Sequence, residues 1–174
     1  EMAFSMLPSN IKKMVDPANQ PKGSNYKGLK RFAFNTSSED EIASSRPGVL
    51  GWARASDGEL HIIGPSFRDP IGEAKFNSNL TLAEEVIWHE AAHHVHFHLE
   101  SFAPSSPEGK ALQKWKQGLP GKRISEYAYT NWEEDFAESF ACAMSHPKQL
   151  AKVAPDRYDW MREHVLVDTL PTRE

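Results

Sequence analysis

Residues 89–93 read His89-Glu90-Ala91-Ala92-His93. Two histidines four positions apart share one face of a helix, so their imidazoles can converge on a single metal ion. A glutamate directly after the first of them flanks such an ion without binding it. There Glu90 can take a proton from a water that the metal activates. His-Glu-x-x-His on a helix is the spacing that holds zinc for hydrolytic chemistry. The competing explanation is a histidine-rich helix whose imidazoles are packed and hydrogen-bonded. A pair at i, i+4 enclosing a glutamate favours the metal.

The elements that must hold these groups are marked in the sequence. Thr81-Leu82-Ala83-Glu84 reads as a capping box that opens a helix over 81–100, with no glycine or proline until Pro104. His89, His93 and His96 fall on one face of it, with Val86. A further zinc pattern requires glycine three residues after the second histidine and a histidine three beyond that. Here those positions hold His96 and Leu99, which excludes that class. His94 and His98 point to other faces, and His96 is the one that can approach the site.

A catalytic zinc needs a third protein ligand and one open position. The candidate segment is 127–141, read as a helix with Thr130-Asn131-Trp132-Glu133 as its capping box and Pro147 as its stop. Trp132, Phe136, Phe140, Ala143 and Met144 form an apolar stripe. Glu134 and Glu138 lie one turn apart on a small, acidic face. Two carboxylates there repel unless a cation or a donor stands between them. A solvated acidic face would read the same way, since Glu133, Glu134 and Asp135 form a charge run.

The run Tyr127-Ala128-Tyr129-Thr130-Asn131-Trp132-Glu133-Glu134-Asp135-Phe136-Ala137-Glu138-Ser139-Phe140 resembles the second motif of the anthrax lethal factor catalytic domain family, which includes the Pro-Pro endopeptidases. Met144-Ser145-His146-Pro147 and Ala154-Pro155 resemble the family's carboxy-terminal tail. The similarity spans about residues 49–167, with strong motifs only at 89–93 and 127–140. It implies a zinc endopeptidase of the gluzincin type. His89, His93 and Glu134 would be the ligands, Glu90 the general base and Tyr127 a donor to the oxyanion. Glu138 would sit behind the ligands and orient a ligand histidine. The chain departs from the common family form at Ala92, where glycine is frequent, and at His94. The resemblance is compatible with a secreted or delivered toxin or effector, or a phage-associated protease.

At 174 residues the chain has room for one domain with one core. A net charge of −4 gives no electrostatic case for nucleic acid. No apolar run approaches a transmembrane span. The one cysteine, Cys142, reads as a packing residue. Residues 1–28, rich in proline and polar groups, read as a linker or loosely packed arm around a short helix near Ser9–Val15, and the chain as part of a longer polypeptide. Leu29–Phe34, Val49–Ala55 and Glu59–Ile63 read as strands, the last two joined by an Asp57-Gly58 hairpin turn. Glu59–Ile63 is expected to be an edge strand on which substrate pairs, with Glu59, His61, Ile62 and Ile63 as the contacting residues. His61 itself suits packing or exposure better than catalysis. Trp115 and its flanking lysines, on a short helix over Gly109–Lys116, read as an amphipathic surface face and not as a nucleic-acid patch. Residues 101–126 are expected to overhang the cleft.

The expected fold is α+β: a small, mostly antiparallel sheet packed on the two zinc-binding helices and a carboxy-terminal helix from Pro155 to about Val167, in one zincin-like domain over 29–174. The expected partner is a protein or peptide substrate. The alternative is a non-catalytic module that zinc stabilises for interaction, a role that needs neither Glu90 nor Tyr127.

Overall fold

The computed structural model describes residues 5–35, 39–40, 42, 45, 49–63 and 82–173. Among them are six α-helices and a three-stranded sheet. In chain order these are α1 (Ser9–Val15), β1 (Arg31–Asn35), β2 (Gly51–Arg54), β3 (Glu59–Ile63), α2 (Leu82–Glu100), α3 (Pro107–Lys116), α4 (Trp132–Ser145), α5 (Pro147–Val153) and α6 (Pro155–His164). The fold is α+β, and no described helix is long and apolar enough to cross a membrane. The Thr81 cap lies outside the described residues.

The strand order is β1-β3-β2. β2 and β3 form the expected antiparallel hairpin, Trp52 opposite His61, while β1 pairs with β3 in parallel, Phe32 opposite Leu60. The turn works because Gly58 adopts φ +75°, and any Cβ there would strike the carbonyl oxygen of Gly28 at 2.1 Å. The sheet is therefore mixed rather than mostly antiparallel, with Glu59–Ile63 at its centre. That strand has neighbours on both sides and no free edge for a peptide. Leu60, Ile62 and Ile63 are fully buried. An almost unbroken apolar strand signals burial on both faces, which suits a central position better than an edge.

The amino-terminal segment is not a loose arm. Leu7, Ile11, Val15 and Tyr26 are buried, and the first three join the same core as the helices. Burying each aliphatic side chain is worth about 1.5–3 kcal/mol, enough to hold so short a segment in place. His94 adds a polar tie, with Nε2 3.0 Å from the Glu59 carbonyl and Nδ1 3.2 Å from the Tyr26 hydroxyl.

Among the described residues α2 and α4 make the most extensive helix pair. Ala91 and Ala92 on α2 and Ala137 and Ala141 on α4 are all buried. Small side chains at a crossing let helix axes approach closely. α4 starts one residue later than its sequence suggests. Asn131, extended at φ −159°, is the N-cap, and its carboxamide oxygen accepts the Glu134 N–H at 2.8 Å. Thr130 is helical and closes a 3-10 turn over Tyr127–Tyr129. α3 is capped by Ser106 as its Ser-Pro start implies. Trp115, expected at the surface, is instead buried against Phe136 and Trp160.

Candidate metal centre

His89 and His93 leave α2 one turn apart and meet Glu134 from the first turn of α4. Their ligand atoms all lie within 4.8 Å of one another. Nε2 of His89 is 3.0 Å from Glu134 Oε2 and Nε2 of His93 is 3.9 Å from it. Glu134 Oε2 is buried, and its near neighbours are the two imidazoles, which can serve it as donors only when protonated. A cation between a buried carboxylate oxygen and two neutral imidazoles satisfies all three groups at once. Two histidines and one glutamate suit zinc, and the set leaves room for a further ligand. The residues fit the ion.

Each imidazole faces the centre with Nε2 and has a partner on Nδ1. His89 Nδ1 is 3.0 Å from Glu138 Oε1, and the other carboxylate oxygen of Glu138 accepts the Ser125 hydroxyl. His93 Nδ1 is 3.0 Å from His96 Nε2. Such partners fix the tautomer and aim the ring.

The electrostatics of the metal-free protein follow from this packing. Burial disfavours a charged His89, but the carboxylates of Glu134 and Glu138 outweigh it and push the imidazole up to about 10. Burial and the nearby histidines hold His93 well below its ordinary value, so the ring stays neutral with one nitrogen lone pair available. Glu90 is pushed up to about 7, mainly by burial, with His89 opposing and Glu134 adding to the rise. A carboxylate titrating near neutrality is suited to exchanging a proton. Tyr127, half exposed, has its ring 6.0 Å from that of His89. Burial and the charges of Glu134 and Glu90 push its hydroxyl up to about 12, which keeps it a hydrogen-bond donor at neutral pH.

These groups open into a cleft of about 390 Å³. Gly51, Trp52 and Ala53 of β2 form one wall, and Phe97, Glu100 and Glu133 extend the other. The structure thus brings His89, Glu90, His93, Tyr127, Glu134 and Glu138 together. It does not bring Glu59, His61, Ile62 and Ile63 to the cleft. His61 faces a separate polar cluster, with Asp40 2.9 Å and Glu59 3.0 Å from its two ring nitrogens and Trp52 stacked on it at 3.7 Å. The strand that borders the cleft is β2. Gly51 is needed there, because a Cβ would lie 2.8 Å from Val86 Cγ1 and 2.9 Å from Glu90 Cγ. Sequence reasoning missed Gly51 and Trp52 as site residues, although a glycine next to a tryptophan inside a strand signals a close approach. No family model, curated protein or solved structure matches the chain.

Proposed function

We propose that the protein is a zinc-dependent endopeptidase, with His89, His93 and Glu134 as ligands, as the resemblance to the lethal factor catalytic domain family implies. The observation that carries this reading is the convergence of Glu90 and Tyr127 with a two-histidine, one-glutamate centre in a single cleft beside a strand edge. Zinc held there supplies Lewis acidity, which acidifies water and polarises a carbonyl. Glu90 takes the proton of the attacking water and returns it to the leaving amine. Tyr127 donates its hydroxyl to the oxygen on which charge develops.

The strand edge supplies peptide binding. Ile63 N–H bonds to the Leu50 carbonyl at 2.9 Å, so alternation along the antiparallel pair turns the N–H and C=O of Gly51 and Ala53 away from β3. Among the described residues no strand covers that side of β2. An extended peptide laid along it gains main-chain bonds and presents a scissile bond to Glu90.

The test joins metal analysis to cleavage. One zinc per chain is expected in the wild type, lost in His89→Ala, His93→Ala and Glu134→Ala and kept in Glu133→Ala. Terminal proteomics on an unstructured protein substrate should show new ends with wild type and none with Glu90→Gln. Equal cleavage by Glu90→Gln, or full zinc in Glu134→Ala, would overturn the reading. A zinc-loaded wild type that cuts nothing, with Glu90→Ala equally stable and equally able to bind a partner, would instead favour a zinc-stabilised interaction module.

A further inference from the structure

The two ligand histidines are supported by different chemistry. Behind His89 stands a carboxylate, Glu138. Behind His93 stands a third imidazole, His96, which is 2 % exposed and ringed by Phe97, Trp132 and Phe136. A histidine that binds a metal through Nε2 carries its proton on Nδ1. His93 Nδ1–H must then donate to His96 Nε2 across the 3.0 Å that separates them. That fixes His96 as the tautomer with its own proton on Nδ1, which has Glu100 Oε2 3.5 Å away as its nearby carboxylate, beyond a formed hydrogen bond. The other Glu100 oxygen is held by Lys116 Nζ at 2.5 Å, and the same ammonium lies 4.4 Å over the Trp132 ring.

We infer that His96 is a positioning residue for the metal centre, acting through His93 and itself oriented by Glu100 and Lys116. The chain of contacts runs from the ligand to the end of α3, so the connection over 101–126, none of whose residues lines the cleft, reaches the centre through Lys116. Apolar packing alone would not explain the arrangement. A buried imidazole among three aromatic rings costs solvation unless its nitrogens are used, and here Nε2 meets His93 Nδ1 at hydrogen-bond distance while Nδ1 has only the Glu100 carboxylate nearby. The inference rests on the zinc reading of the same site.

The experiment measures zinc affinity by competition with a chromophoric chelator, alongside the melting temperature of each metal-free protein. His96→Leu keeps apolar volume and removes the acceptor. His96→Gln keeps an acceptor near the position of Nε2. Loss of a group that orients a ligand costs about 10–100-fold in metal affinity. His96→Leu should therefore raise the zinc Kd by that factor, and His96→Gln should restore most of it at a similar melting temperature. In zinc-loaded wild type, ring nitrogen shifts in NMR should report His93 and His96 both protonated at Nδ1. Should His96→Leu fail to fold, Glu100→Ala carries the test, with an expected rise of roughly 3–10-fold. Unchanged Kd in the folded variant, or equal loosening by Leu and Gln, overturns the inference while leaving the metal site standing. A wild type that binds no zinc removes the site and the inference together.

Discussion

Glu138 Oε1 lies 3.0 Å from His89 Nδ1, on the side of the ring opposite Glu134. One imidazole is thus clamped between two carboxylates, one able to bind the ion and one able to orient the ligand. Glu138 is almost fully buried, and the Ser125 hydroxyl occupies its second oxygen. Glu138→Gln should weaken zinc binding by about 10–100-fold without abolishing it. Glu134→Ala should abolish it. Chelator competition on both variants separates the roles, and equal losses would contradict the division.

The pH dependence of the metal-free protein should carry the mark of Glu90. Its carboxyl is raised from about 4.5 to about 7 on folding, mainly by burial. The folded state therefore holds a proton that the unfolded state has released. Stability from this group is complete below about 4.5 and is lost as pH rises through about 7. Glu90→Gln escapes that loss. Metal-free Glu90→Gln should match wild type near pH 4 and exceed it by on the order of 2–3 kcal/mol above pH 7, measured by urea unfolding across that range. A constant difference would mean that Glu90 titrates normally.

Tyr127 should act on rate and not on zinc. Tyr127→Phe should keep one ion per chain and lower kcat by about 10²–10³, as loss of one oxyanion donor does. The phenol is half exposed, so folding should be unaffected. An unchanged kcat would remove it from the mechanism.

The β2 edge separates recognition from chemistry. Ala53→Pro deletes an N–H that faces away from β3, so the protein should stay folded and zinc-loaded while KM rises roughly 3–10-fold, the worth of one hydrogen bond. Gly51→Ala should leave KM nearer to wild type and lower kcat by about 10–100-fold, because its Cβ meets the Glu90 side chain. Reversed effects would mean that β2 does not carry the peptide.

The two helices and the meeting of His89, His93 and Glu134 were legible because their information is local. The i, i+4 histidines, the small acidic face at Glu134 and Glu138 and the caps all lie within a few turns of chain. The exact start of α4 was not, since Thr130 and Asn131 are both good caps and only the extended backbone at Asn131 decides between them. Strand order was illegible for a different reason. β1 joins β3 across 23 intervening residues from Asn35 to Glu59, and nothing near β1 announces a parallel partner. Trp115 and the segment around Ile11 were misplaced because short amphipathic pieces look alike whether they cover a core or face solvent. The contacts of His96 with Trp132 and Phe136, and of Gly51 with Val86 and Glu90, are made with neighbours on another element, which periodicity does not show.

Arg157 reaches from α6 to Asp135 with two hydrogen bonds of 2.8 Å, and its third arm meets the Pro120 carbonyl at 3.0 Å. A buried, doubly bonded ion pair is rigid, and breaking one side of it is costly. Asp135 is the residue next to Glu134. The rotation of α4 that aims Glu134 is therefore pinned from 22 residues downstream of Asp135. During synthesis the two histidines emerge first and Glu134 follows, but the pin arrives only with α6. A nascent chain ending before Pro155 carries every candidate ligand and Arg123, 3.4 Å from Asp135, yet lacks the buried, doubly bonded partner of that carboxylate. On the proposed zinc reading, tight loading with metal is expected only once the tail of the fold has docked, as a late event in maturation.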